Sequence, residues 1–102
     1  MNRSRIESYL GFARKAGKLV SGYHKCLFMI GKNSVKLIIL AEDVSQNTKD
    51  KFSHQCKKAD IPYVVHGSIN SLSQVTGNEG RGVYGLTDTN FAQAIIKEIG
   101  ND

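Results

Sequence analysis

The chain is short of the features that mark several protein classes. No apolar run approaches the ~18 residues needed to span a bilayer, and Met1-Asn2-Arg3 opens no signal peptide. A membrane-spanning or secreted protein is not expected. Only two cysteines are present, Cys26 and Cys56, with no Cys-x-x-Cys and no second pair, so the four closely spaced ligands of a structural zinc site are missing. Both cysteines fall within apolar helical patterns, which predicts buried thiols in a reducing compartment. Pro62 is the single proline, and no internal repeat, linker or low-complexity stretch divides the chain. Acid is scarce at one end, where Glu7 is the sole carboxylate in the first 36 residues.

That scarcity unmasks a charge asymmetry. The same 36 residues hold eight bases, a local net charge of +7, while the other 66 residues sum to −2. One basic end on a domain of 102 residues is the electrostatic footprint of a polyanion binder. Charge alone does not separate RNA from DNA or from an anionic membrane surface, and a solvated face kept charged for solubility is the plainer alternative. At this length roughly 65% of the unfolded chain's surface can be buried, enough for one helix-covered sheet. A single domain over residues 1–102 is therefore expected.

Hydrophobic periodicity divides the chain into nine elements. Ser4-Arg5-Ile6-Glu7 reads as a capping box ahead of an amphipathic helix with Ile6, Tyr9, Leu10 and Ala13 on one face, ending near Ala16 and Gly17. Leu19-Val20 reads as a short strand. Gly22 opens a second helix with Tyr23, Cys26, Leu27 and Ile30 inward, closing near Gly31 or Asn33. Residues 35–41 form an almost unbroken apolar run, which predicts a central strand buried on both faces. A third helix begins near Ser45 with Thr48, Phe52, Cys56 and Ala59 inward, and Pro62 leads into the strand Tyr63-Val64-Val65. A shorter helix spans residues 72–75, a glycine-rich loop spans 77–82, and a strand covers 83–86. Asp88 caps a last helix carrying Phe91, Ala94, Ile95 and Ile99. This alternation predicts an α/β fold, a three-layer α/β/α sandwich around a four-stranded mixed sheet. Open sheets of this kind place ligands beyond the carboxyl ends of their strands.

No reactive constellation assembles from these elements. The glycine loop has the spacing G-x-x-G-x-G and leads into a strand, whereas a dinucleotide fingerprint opens a helix. Glu42 and Asp43 are adjacent, a poor arrangement for an acid–base pair; they read as a third-helix cap or a polar contact at the loop mouth. His24, His54 and His66 lack partners at metal-ligand spacing, and no serine sits in G-x-S-x-G. A non-enzyme with no cofactor, no metal and no small-molecule substrate is expected. What does assemble is Arg14-Lys15-Ala16-Gly17-Lys18, a short strand, then Gly22 and a helix N-terminus. Free N–H groups and basic side chains suit phosphates, and the plain alternative is an ordinary strand–turn–helix junction.

Three segments in order carry a resemblance: residues 13–22, residues 36–43 and Ile61-Pro62-Tyr63. Together they resemble the ribosomal L-seven-Ae family. Residues 41–49 and Thr87-Asp88-Thr89-Asn90-Phe91-Ala92 are similar to its small bacterial YlxQ-like branch. The resemblance runs from about Ile6 to Ile99. It implies a sandwich that binds structured RNA, in many members the sharply bent kink-turn, and a protein of ribosomes or other ribonucleoproteins. In such members a Gly-x-Asn-Glu-x-x-Lys segment reads tandem sheared G·A pairs. Here Gly22 and Tyr23 open that segment, but His24, Lys25 and Phe28 replace its asparagine, glutamate and lysine. Lys25 donates where a glutamate accepts from guanine edges, so the readout changes. The other family regions fall on Val65 to Ile69 after the third strand, with Gly67 and Ile69 where relatives often place basic residues, and on Asp43 and the third helix's first turn, Asn47 to Lys49. Arg14, Lys15 and Lys18 are expected on phosphates. The expectation is thus a cytoplasmic, monomeric RNA-binding protein. The alternative is a protein-interaction adaptor that keeps the fold without specific RNA readout.

Overall fold

The computed structural model describes residues 3–77 and 80–100, with the side chains of residues 3 and 4 left outside. The Ser4–Glu7 capping box and Asn78-Glu79 of the glycine loop therefore lie outside the described residues. Nine elements alternate as the periodicity predicts: α1 (Arg3–Lys15), β1 (Leu19–Ser21), α2 (Tyr23–Gly31), β2 (Leu37–Leu40), α3 (Gln46–Ala59), β3 (Tyr63–Val65), α4 (Ile69–Thr76), β4 (Val83–Leu86) and α5 (Thr89–Gly100).

The sheet order is β1-β4-β2-β3. β2 pairs parallel with β3 and antiparallel with β4, and β4 pairs antiparallel with β1. β2 is thus central, as its unbroken apolar run requires. Its side chains alternate between two cores. Leu37 and Ile39 join Ile6, Leu10, Tyr84 and Ile95 beneath α1, α4 and α5. Ile38 and Leu40 join Cys26, Ile30, Phe52 and Cys56 beneath α2 and α3. Each fully buried Leu or Ile contributes about 1.5–3 kcal/mol, so the strand is held from both faces. Among the described residues, no helix is long and apolar enough to cross a membrane.

Boundaries moved where capping outweighs apolar periodicity. α4 begins at Ile69, three residues before the expected Leu72, because Ser68 and Ser71 cap one another's backbone N–H groups at 3.0 Å each. β2 is confined to residues 37–40, although the Lys36 N–H still donates to the Leu86 carbonyl and the Ala41 N–H to that of Gly82. α1 stops at Lys15, and Gly17 turns the chain at φ 72°. Asp88 caps α5 as expected, its Oδ2 accepting from the Phe91 N–H at 3.0 Å. Cys26 and Cys56 are free and buried. Burial pushes both thiols up, Cys26 to about 12 with Cys56 adding to the effect, and Cys56 to about 11.

Candidate nucleic-acid interface

The carboxyl ends of β1, β2 and β3 lie at one edge of the sheet, and the amino end of β4 lies among them. Ser21 is paired with Tyr84, and Leu40 is paired with both Val83 and Val65. The start of α2, the β2–α3 loop, the start of α4 and the segment before β4 therefore meet. Between them is a cleft of about 350 Å³, lined by Gly22, Tyr23, Asp43, Val44, Thr48, Ile69 and Arg81 among others.

Two loops of this edge are stitched together. The Glu42 N–H donates to the Gly67 carbonyl at 2.7 Å. Asp43 Oδ1 accepts from the Ile69 N–H at 2.8 Å, so Asp43 holds the start of α4. Ser45 caps α3, accepting from the Thr48 N–H at 3.1 Å. Of the two readings of Glu42 and Asp43, the side-chain contact at the loop mouth holds for Asp43, Glu42 joins through its backbone N–H, and the third-helix cap falls to the Ser45 hydroxyl instead.

α2 opens with little in front of it. Gly22 sits at φ 102° and ψ 150° and supplies no side-chain cap, so the first-turn N–H groups keep no partner from a capping side chain. Its own N–H donates to the Val83 carbonyl at 2.9 Å, which fixes the helix start against β4. A Cβ on Gly22 would stand 2.6 Å from Arg81 Nη1: the guanidinium lies directly against the bare glycine. The Arg81 backbone is anchored in turn. The buried Tyr84 hydroxyl donates to its carbonyl at 2.9 Å, and Ser73 Oγ reaches the same oxygen at 3.4 Å.

A model of the Ribosomal protein L7Ae/L30e/S12e/Gadd45 family matches residues 4–97. The chain belongs to this family. It is 37% identical over 87 residues to the RNA-binding protein YlxQ of Bacillus subtilis, covering 85% of this chain and 87% of that protein. Its identity to YlxQ of Enterococcus faecium is 30%, over 90% of this chain and 88% of that one. A third relative, the large ribosomal subunit protein eL30 of Sulfurisphaera tokodaii, is 33% identical over 71% of this chain and 69% of its own length. Among solved structures, a protein of unknown function from Bacillus halodurans superposes with a TM-score of 0.90 at 29% identity, covering 93% and 96% of the two chains. The 15.5kD RNA binding protein of Giardia lamblia shares the fold at a TM-score of 0.82 and 16% identity, covering 99% of this chain and 90% of that one.

The three regions expected from the L7Ae family pattern do reach one edge. Gly22, Tyr23 and Asp43 line the cleft. Tyr23 is anchored by edge-on contacts to Phe52 at 5.4 Å and to His24 at 5.1 Å. His24, Lys25 and Phe28 are exposed on the outer face of α2. Asn47 and Lys49 flank the cleft residue Thr48, and Val65 is exposed at the end of β3. Gly67, at φ 73°, is buried against Ser71 and Leu72 and contributes its carbonyl to the loop stitch.

Arg14, Lys15 and Lys18 are not brought to this edge. The Lys18 carbonyl accepts from the Thr87 N–H, beyond the opposite end of β4 from Val83, about 13 Å along β1 from Gly22 at ~3.3 Å per residue. The Arg14 guanidinium lies against Gly77, where α4 ends. Continuity in sequence suggested one patch; the strand between them separates it into two. Arg81, Val44 and Ser45 were absent from the expected site, whereas Thr48 and Ile69 fall within the expected stretches 47–49 and 65–69 and line the cleft. A signal for Arg81 existed, since it is the sole base between Lys58 and Lys97 and directly precedes a strand.

Proposed function

We propose that this protein binds structured RNA without catalysing a reaction, through the cleft edge, and that its ligand is bent or internally looped RNA of the kink-turn kind. The observation that carries the reading is Gly22: a helix start bare of side chain, with the Arg81 guanidinium against it, where three loops converge. Phosphate suits such a helix end, and a guanidinium forms paired charge-assisted bonds with phosphate oxygens. Two relatives are called RNA-binding proteins and one is a large ribosomal subunit protein, which supports work in a ribonucleoprotein, the ribosome included; in our reading the protein does so as a cytoplasmic monomer. Among the described residues, no three His, Cys, Asp or Glu side chains gather to hold a metal.

At the readout positions Lys25 only donates, and neutral His24 both donates and accepts. Guanine O6 and N7 or phosphate match these groups better than amino edges do. The protein should therefore favour a kink-turn less sharply than relatives carrying Asn and Glu there. Arg14, Lys15 and Lys18 would add sequence-independent phosphate contacts at the far end of β1.

The test titrates a kink-turn RNA, and the same RNA lacking its sheared G·A pairs, at several salt concentrations. Both should bind with affinity falling steeply as salt rises, with the kink-turn modestly preferred. His24→Asn with Lys25→Glu should sharpen the preference while removing positive charge. Lys18→Ala should lower the salt slope by about 1; an unchanged slope removes Lys18 from the interface. Absent or salt-independent binding would leave the adaptor reading in its place.

A further inference from the structure

Every apolar side chain of α2 except one packs into the core beneath it. Cys26 and Ile30 are buried there, and Tyr23, Leu27 and Met29 pack against them. Phe28 turns the other way and is 59% exposed. Its surroundings are cationic, with no acid in the helix. Lys32 Nζ stands 5.2 Å from the ring centroid, and Lys25 is exposed one turn toward the cleft. Side chains on a helix lean toward its N-terminus, so residue 31 would be the one to cover the flank of residue 28. That residue is Gly31, and nothing lies within 4 Å of where its Cβ would be. The Lys32 ammonium lies over the ring and the rest of the ring is exposed, six residues and about 9 Å of helix from Gly22.

We propose that Phe28 is a stacking platform for one unpaired base of the bound RNA, with Lys25 and Lys32 on the phosphates to either side. The proposal rests on the RNA-binding reading and deepens it by naming the ligand's shape: a base extruded beside the bend. A lysine at this position would offer a point charge to phosphate or a guanine acceptor. Phenylalanine offers a π face, which every base can use and no duplex can, because paired bases are already stacked. The contact is therefore tolerant of sequence and selective for unpaired RNA.

The chain has no tryptophan, so Phe28→Trp places its single tryptophan on the platform, read by selective excitation apart from the four tyrosines. Adding an internally looped RNA hairpin should quench it while affinity is retained. Phe28→Leu keeps an apolar, exposed side chain without the π face. Its melting temperature should match the unsubstituted protein, and its affinity for the looped hairpin should fall roughly 5- to 140-fold with the salt slope unchanged. Lys25→Ala should instead lower that slope by about 1. Equal affinity of Phe28→Leu and unsubstituted protein overturns the proposal while leaving RNA binding in place. So does an unquenched tryptophan in an RNA-bound Phe28→Trp variant, or an equal loss toward a fully paired two-strand duplex. If the unsubstituted protein binds neither the looped hairpin nor the duplex at low salt, the RNA-binding reading itself has failed.

Discussion

Gly22→Ala should destabilise the protein through its backbone and not through the crowding a simple inspection suggests. At φ 102° and ψ 150° the residue occupies a region nearly closed to residues with a Cβ, worth about 1–3 kcal/mol of strain. Alanine also narrows the unfolded ensemble, which returns about 0.4–1 kcal/mol, so a net loss of about 1–2 kcal/mol remains. For a chain of this size that is a fall of roughly 5–15 °C in Tm. The new methyl would stand 2.6 Å from Arg81 Nη1, but this is the far end of an exposed, flexible side chain and moves at little cost. Arg81→Ala in the Gly22→Ala background should consequently restore almost nothing, with a coupling below about 0.5 kcal/mol. Urea unfolding of the two single variants and the double variant measures all three terms. An unchanged midpoint for Gly22→Ala would refute the strain argument. Full rescue by Arg81→Ala would show that the clash, not the dihedral angle, is what glycine avoids.

Three further outcomes follow from other contacts. Asp43→Ala should cost about 1 kcal/mol by removing the acceptor of the Ile69 N–H, and Asp43→Asn less; faster hydrogen exchange at the Ile69 amide in the alanine variant is the direct check. The thiols are raised on folding from 9.0 to about 12 at Cys26 and about 11 at Cys56, so an unfolded thiol releases its proton first as pH rises. Their contribution is intact below pH 9 and is lost upward toward the folded values; replacing both with alanine should flatten the alkaline fall in urea midpoint between pH 9 and 11. Arg5 donates to the buried Glu98 carboxylate at 2.9 Å, and that bond raises the Arg5 pKa. Arg5→Ala should therefore lower Tm, and adding Glu98→Gln should recover part of the loss, because the uncompensated buried charge is gone.

The order and class of all nine elements were legible because each apolar period meets a layer of the sandwich. The run at residues 35–41 read as central because Leu37 and Ile39 serve one core while Ile38 and Leu40 serve the other. Element ends were less legible. Ser68 and Ser71 begin α4 by reciprocal capping three residues ahead of its first fully buried apolar residue, Leu72, and a pair of serines carries no periodicity. At the site, Gly22 was visible because a glycine before an apolar helical period has few other reasons to be there. Lys15 and Lys18 read as continuous with Gly22, but proximity in sequence survives only until a strand intervenes. Phe28 was named as a departure from the family pattern and fell outside the inward set Tyr23, Cys26, Leu27 and Ile30, but the open flank beside it became evident only in the structure.

Arg81 was missed for a topological reason. Ligands at open α/β sheets are sought beyond the carboxyl ends of strands, and that rule finds the loops after β1, β2 and β3. It passes over β4, whose direction is opposite to theirs. Because β4 is inserted between β1 and β2, its amino end arrives at the edge where its neighbours end, and the segment before it is delivered between the α2 start and the β2–α3 loop. Gly82 is part of the same placement: a Cβ there would collide with Val44 and stand 3.0 Å from Ile69. Packing against two residues of the cleft wall thus requires glycine immediately after Arg81, and the Tyr84 hydroxyl fixes the Arg81 carbonyl from below. A glycine-rich loop that looks like mere connection in the sequence is, in this strand order, the part of the chain that carries a guanidinium to the helix start.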